Sequence, residues 1–269
     1  MLQSIREKKF IFRNFKILND KIKKKLKNAI ENSDENTIHK LRLAFKKIKA
    51  SFILLENLDH RFNSNNLYKP YKKISKNSGA ARDLQIQLKI AEEMERDIKY
   101  DLCDWRMGLK RKLRKKLKRL KKRCVQFNSR IHKTTSDKVT RTIKGIPPEL
   151  LKKNIVSYFK DLNSKIIELN KRSFIEADIK KIHDFRKRLK EFKYNKELLK
   201  YSHIKIVTKY FNQRKSMEDI LGRLHDYRII IQRINSQKKK IAKWKVLHTE
   251  LEKRENLCLR NIKGRLNRL

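Results

Sequence analysis

The feature that most constrains the fold is a twelve-residue pattern written twice. IHKLRLAFKKIK occupies residues 38–49 and IHDFRKRLKEFK occupies 182–193, 144 positions later. Ile, His, Arg, Lys and Lys recur at identical spacing, with apolar residues matching in between. A second pair follows: GAARD (79–83) and GRLHD (222–226), each Gly-x-x-basic-Asp. His39 to Asp83 spans 44 positions and His183 to Asp226 spans 43. A lone HxxR means little. Two motifs recurring at matched spacing divide the chain into related halves, 1–135 and 145–269.

The punctuation is helical. Only 5 Gly and 3 Pro interrupt 269 residues, which favours long helices over a sheet with many tight turns. Phe12, Phe15, Leu18, Ile22, Leu26 and Ala29 follow helical spacing, so residues 1–31 read as one helix. Further helices are expected at about 36–58, 67–77, 80–101, 105–124, 149–172, 178–201, 203–220, 223–240 and 241–267. The Thr/Ser-bearing stretch 128–148 reads as the main linker. Gly79 and Gly222 read as helix breaks.

On a helix turning about 100° per residue, His39, Arg42, Lys46 and Lys49 share one stripe. Leu41, Phe45, Ile48 and Phe52 fall on the opposite side. The second copy repeats the plan: His183, Arg186, Lys190 and Lys193 share a stripe while Phe185, Leu189 and Phe192 face away. Each helix thus has a core face and a cationic face about 15 Å long. Arg offers a planar fork to phosphate oxygens, Lys a mobile point charge, and His a ring N–H. That set suits a repeating phosphate chain better than base readout, which wants Asn, Gln or Arg at particular bases. Arg82 and His225, the basic residues of the second anchors, extend the cations. Asp83 and Asp226 read either as orienting a nearby Arg or His or as first-turn acids of the following helices.

The charge balance agrees. There are 74 Lys+Arg against 29 Asp+Glu, a formal net charge of +45. Self-repulsion on that scale favours an anionic partner, whether nucleic acid, an anionic membrane or an inorganic polyanion. Cys103, Cys124 and Cys258 form no CxxC pair, which speaks against a disulfide scaffold or a zinc site and suits a reducing cytosol. No apolar run approaches the ~20 residues of a membrane span. The first residues are charged where a signal peptide would be apolar.

At these residues the chain resembles the CHAD family, the conserved histidine α-helical domains. His39-x-x-Arg42 with Lys46, Lys47 and Lys49 is similar to its first motif. Ala81-Arg82-Asp83-Leu84 resembles the second, His183-x-x-Arg186 with Lys190, Lys193 and Tyr194 the third, and Leu221-Gly222-x-Leu224-His225-Asp226 the fourth. The resemblance implies an all-α fold of two pseudo-symmetric four-helix bundles with a basic groove between them. It implies binding of inorganic polyphosphate, for which phosphate or sulfate would stand in, and association with polyphosphate granules in the cytoplasm. No cofactor or metal is implied. The chain departs from the pattern in using Lys where Arg is usual, and Glu191 where a second basic residue is usual.

Rival classes have their own residues. Lys110 to Arg123 holds eleven Lys or Arg in fourteen positions, with Leu109, Leu113, Leu117 and Leu120 on a narrow face. Such a helix could track a nucleic-acid backbone or lie on an anionic membrane, or be a bundle helix with a basic outer face. A sequence-independent nucleic-acid binder is therefore the alternative reading. An enzyme lacks support: there is no GxxxxGK[ST] loop and no HExxH. EEMERD (92–97) mimics the ExExK pattern of triphosphate-tunnel enzymes but ends in Asp and sits on a helix, so it reads as a polar helix face.

Overall fold

The computed structural model describes residues 2–99, 101–127, 129–175, 179–200, 211–236 and 244–266. Among them are nine helices and no strand. They are α1 (Leu2–Glu31), α2 (Glu35–Leu58), α3 (Ser64–Ile98), α4 (Cys103–Val125), α5 (Ser129–Gly145), α6 (Pro148–Ile175), α7 (Ile179–Leu198), α8 (Phe211–Asn235) and α9 (Trp244–Leu266). The chain forms two compact units. The first comprises Met1–Arg82, Lys115–Ile167 and Lys190–Val207, the second Asp83–Arg114, Glu168–Leu189 and Thr208–Leu269. Each unit draws on both halves of the chain.

In the first unit α1 packs on α2 and α5. Asp34 starts α2 by accepting the Thr37 N–H at 2.6 Å, while the Asn32 amide holds its other oxygen at 2.9 Å. Ile38, Leu41, Phe45, Ile48, Phe52 and Leu55 then recur at helical spacing, none more than 2% exposed. Burying such side chains is worth about 1.5–3 kcal/mol each, so this face goes inward and the opposite face must point out. Tyr71 is fully buried among Phe45, Phe52 and Phe127, with ring centroids 5.3–6.2 Å away. Its hydroxyl donates to Thr135 Oγ1 at 3.1 Å.

Three expectations are corrected. The stretch taken for a linker is helix α5, with Thr135, Val139, Thr142 and Ile143 buried. Its hydroxyls do not break the helix because they bond back along it: Thr134 to the Arg130 carbonyl, Thr140 to Ser136 and Thr142 to Lys138, at 2.7–3.0 Å. Gly79 does not break the helix that carries it, since α3 runs continuously from Ser64 to Ile98. Asn77 and Ser78 likewise bond back to Lys73 and Ser75, at 2.8 and 3.0 Å. Gly222 sits inside a continuous α8. An interior glycine costs a helix only about 1 kcal/mol, which packing readily offsets. Asp83 and Asp226 consequently lie mid-helix, not in a first turn. The real end of α3 is marked by Lys99, whose φ of 51° takes the left-handed conformation that closes helices. The portion of the expected helix 203–220 before Phe211 lies outside the described residues.

The second unit has its own core. Ile90 and Met94 of α3, Leu102, Ile230 and Ile234 of α8, and Leu247 and Leu251 of α9 are all at most 8% exposed and pack together. EEMERD lies along α3 here. Glu95 pairs with Arg106 at 3.0 Å and caps α4 through the Leu102 N–H at 2.9 Å, and Asp97 pairs with Arg254 at 2.6 Å. These carboxylates are tied into the unit's own ion pairs. Cys124 and Cys258 are buried, and burial pushes the Cys124 thiol up to about 11, which makes it inert.

Candidate functional site

On α2 the inward face dictates the outward one. His39, Arg42, Lys46 and Lys49 stand opposite the buried row, and none of the four is buried. Arg82 of α3 joins them at the His39 end, its guanidinium bonding the Glu35 carboxylate at 2.6 Å. Glu35 is the acid in the first turn of α2, where the helix dipole favours it. Partial desolvation lowers the His39 pKa below its usual 6.5. The positive charges of Arg82, Lys46 and Arg42 lower it further, against Glu35, which raises it. The site is thus a cluster whose own charges disfavour adding another proton.

At Gly79, α3 runs alongside this stripe. A Cβ at that position would stand 3.9 Å from Arg42 Nε. The second copy has the same arrangement: a Cβ on Gly222 would stand 3.9 Å from a terminal guanidinium nitrogen of Arg186. The Gly-x-x-basic-Asp anchor therefore brings a bare stretch of backbone alongside the HxxR arginine. In the second unit His183 and His225 also meet, their ring centroids 5.3 Å apart. α7 is continuous, with Phe185, Leu189 and Phe192 at most 6% exposed, so His183, Arg186, Lys190 and Lys193 occupy the stripe opposite. Lys190 and Lys193 fall among the residues of the first unit.

Lys47 is placed elsewhere. It stands about 120° round the helix from the middle of the stripe, pairs with Glu197, and lies 6.0 Å over the Tyr194 ring. Its counterpart in the second copy is Glu191, which accepts a 2.8 Å hydrogen bond from the Tyr158 hydroxyl. Asn195 in turn donates to that hydroxyl at 2.7 Å. The position at which the two copies differ in charge is thus off the stripe, and Glu191 does not interrupt the cationic row.

Sequence reasoning missed a neighbouring feature. Lys46 and Lys49 of α2 face Lys69, Lys72 and Lys76 of α3 across an open basin of about 640 Å³. Asn65, Asn66, Tyr68 and Ser75 complete its lining, and no Asp or Glu is among the lining residues. Tyr68 donates to Ser75 Oγ at 2.8 Å, and burial raises its pKa, so it brings no negative charge. The available signal was the 3–4 spacing of Lys69, Lys72 and Lys76 around the buried Tyr71 and Ile74. On α4, Lys110, Arg111, Lys112, Arg114, Lys115, Lys118, Arg119, Lys122 and Arg123 are exposed, while Leu109 and Leu120 are buried. The leucine face is thus turned inward and the basic face outward. No helix among the described residues is long and apolar enough to cross a membrane.

The comparisons with known proteins fit these observations. No curated protein matches the sequence. The structure superposes on the crystal structure of the CHAD domain from the plant Ricinus communis with a TM-score of 0.77. The match covers 97% of this chain and 92% of that one at 16% identity, and so speaks to the fold. The family model described as CHAD domain matches residues 17–235, which include both HxxR helices and both Gly-x-x-basic-Asp anchors. The chain belongs to the CHAD domain family.

Proposed function

We propose that this chain binds inorganic polyphosphate without cleaving it, capturing the polyanion along its HxxR stripes. The observation that carries this reading is the cationic face of α2: His39, Arg42, Lys46 and Lys49, joined by Arg82 and repeated in kind on α7. Arg and Lys supply charge-assisted hydrogen bonds to successive phosphate oxygens, and no base-reading geometry is needed. The lowered His39 pKa is in keeping with the same reading: beyond partial desolvation, the positive charges of Arg82, Lys46 and Arg42 depress it, and a polyanion would relieve that repulsion. Association with polyphosphate granules in the cytoplasm belongs with this proposal.

The test is a titration of long-chain polyphosphate over a salt series, with a parallel assay for released phosphate in the presence of divalent cations. Affinity should fall linearly on a log–log plot as salt rises, as it does for proteins that displace counterions from nucleic acid. No phosphate should be released. Salt-independent binding or metal-dependent release would overturn the proposal.

One observation favours a second reading. The exposed cations of α4 form a row that no stripe of the repeat requires, and a sequence-independent nucleic-acid backbone binder would use such a row. Duplex or single-stranded nucleic acid binding as tightly as polyphosphate would favour this alternative.

A further inference from the structure

We infer that the lysine basin between α2 and the first half of α3 is a subsite for contiguous inorganic phosphates, and that it gives the protein selectivity for such chains over nucleic acid. This rests on the proposed binding of polyphosphate and assigns a share of that selectivity to Lys69, Lys72 and Lys76.

Charge density is the first argument. Five ammonium groups line one basin and no carboxylate does. Holding them together is unfavourable unless the occupant brings comparable negative charge into the same volume. A space of about 640 Å³ is roughly 11 Å across, so a nucleic-acid strand, even at the duplex rise of ~3.4 Å of helix axis per phosphate, brings at most about three charges into it, together with their sugars and bases. A condensed phosphate chain carries no sugar or base between its charges. It fills the same space with more anionic groups.

The second argument is the state of the single aromatic ring in the lining. Proteins that hold single strands combine a cationic groove with aromatic faces on which bases stack, each worth about 1–3 kcal/mol. Tyr68 is already engaged by two neighbours. The fully buried Tyr71 stacks against it with centroids 6.1 Å apart and planes 16° apart. Lys49 Nζ lies over the ring, 5.6 Å from its centroid. A base would have to displace the Lys49 ammonium to stack on this ring, so the basin favours an occupant that needs no stacking. The remaining lining groups, Asn65, Asn66 and Ser75, are hydrogen-bonding side chains that suit phosphate oxygens.

The third argument is the choice of lysine. A guanidinium fork selects a geometry, whereas an ammonium on a flexible stem responds to charge wherever it lies. Lys69, Lys72 and Lys76 are all exposed and follow one another at spacings of three and four on α3. They present a mobile cation row against Lys46 and Lys49, which the stripe already supplies.

The experiment compares affinities for long-chain polyphosphate and for single-stranded poly(U) RNA at near-physiological salt. Three proteins are used: the wild type, Lys69→Ala/Lys72→Ala/Lys76→Ala, and a charge-matched control, Lys115→Ala/Lys118→Ala/Lys122→Ala on α4. All six positions are solvent-exposed and alanine favours helix; circular dichroism and thermal unfolding check that each variant is folded. The basin variant should lose tenfold or more in polyphosphate affinity and less than threefold in RNA affinity, so that its selectivity collapses. The α4 control should keep the wild-type ratio. Equal losses for both polymers in the basin variant would overturn the inference, as would no loss at all or a control with the same collapse. Those outcomes leave wild-type polyphosphate binding intact. Failure of the wild type to bind polyphosphate would instead remove the proposed function itself, and the subsite with it.

Discussion

Arg42 Nε lies 3.9 Å from the point where a Cβ on Gly79 would stand, and Arg186 keeps the same distance from that point on Gly222. That spacing is ordinary van der Waals contact, so one methyl group fits without displacing the guanidinium. Gly79→Ala and Gly222→Ala should each raise stability by about 0.5–1 kcal/mol, because an interior helical glycine is replaced without a clash. Polyphosphate affinity should stay near wild type. Gly79→Leu should push the Arg42 guanidinium aside and weaken binding while leaving the helix content unchanged. Urea unfolding and binding titrations measure both effects. Gly79→Leu binding as tightly as wild type would show that the close approach has no role in the site.

The two adjacent lysines of the first copy should behave differently. Lys46 lies on the stripe, whereas Lys47 pairs with Glu197. Lys46→Ala should weaken polyphosphate binding about two- to fivefold, the scale of one exposed charge contact. Lys47→Ala should leave affinity within about twofold and cost less than about 1 kcal/mol of stability. Reversed effects would place the polyanion on the wrong side of α2.

Binding should be proton-linked through His39. In the empty protein its pKa lies below 6.5, first through desolvation and then through Arg82, Lys46 and Arg42. A bound phosphate chain raises it, so complex formation takes up a proton between the two values. Affinity should therefore climb as pH falls from about 7 and keep climbing below 6.5. His39→Gln should flatten the share of the rise that this ring contributes. A wild-type affinity that does not change over this window contradicts the linkage but not the stripe.

Stability should show the opposite dependence through His132. The Asn19 amide donates to the His132 carbonyl at 3.1 Å, which leaves Asn19 Oδ1 to accept from the His132 Nδ1–H at 3.0 Å. Nε2 is buried without a hydrogen-bond partner, and desolvation holds the pKa below 6.5, followed by the positive charge of Lys23. The unfolded state thus binds the proton more readily than the folded state. The stabilisation is complete above about pH 6.5 and is lost as pH falls from there towards the folded value. Urea unfolding at pH 7.5 and 5.5 should show the loss. His132→Asn, which preserves the donor to Asn19, should lose less.

Helix type and the faces of α2 and α7 were legible in the sequence because burial writes itself as periodicity. Ile38, Leu41, Phe45, Ile48 and Phe52 are apolar because they are inside, and the stripe opposite follows by geometry. What misled was local chemistry that tertiary structure overrides. Gly79 and Gly222 resemble breaks, but they stand where an arginine of another helix passes. The threonines of α5 resemble a linker, but their hydroxyls bond back to the helix that carries them. Glu191 looks like a gap in the cationic row, but it is turned toward Tyr158. The basin escaped notice because Lys69, Lys72 and Lys76 gain meaning only beside Lys46 and Lys49, on the preceding helix. In so basic a chain three lysines spaced along one helix do not stand out.

The most direct test of the central claim is a competition titration at near-physiological salt. Labelled long-chain polyphosphate is bound to the wild type and to Arg42→Ala/Arg186→Ala, then challenged with excess RNA. The account predicts that RNA displaces little polyphosphate from the wild type and that the double variant loses at least tenfold in affinity. RNA competing on equal terms, with the double variant binding as before, would contradict it: the repeated stripes would then be bundle architecture, and the net charge of +45 a general attractor of polyanions.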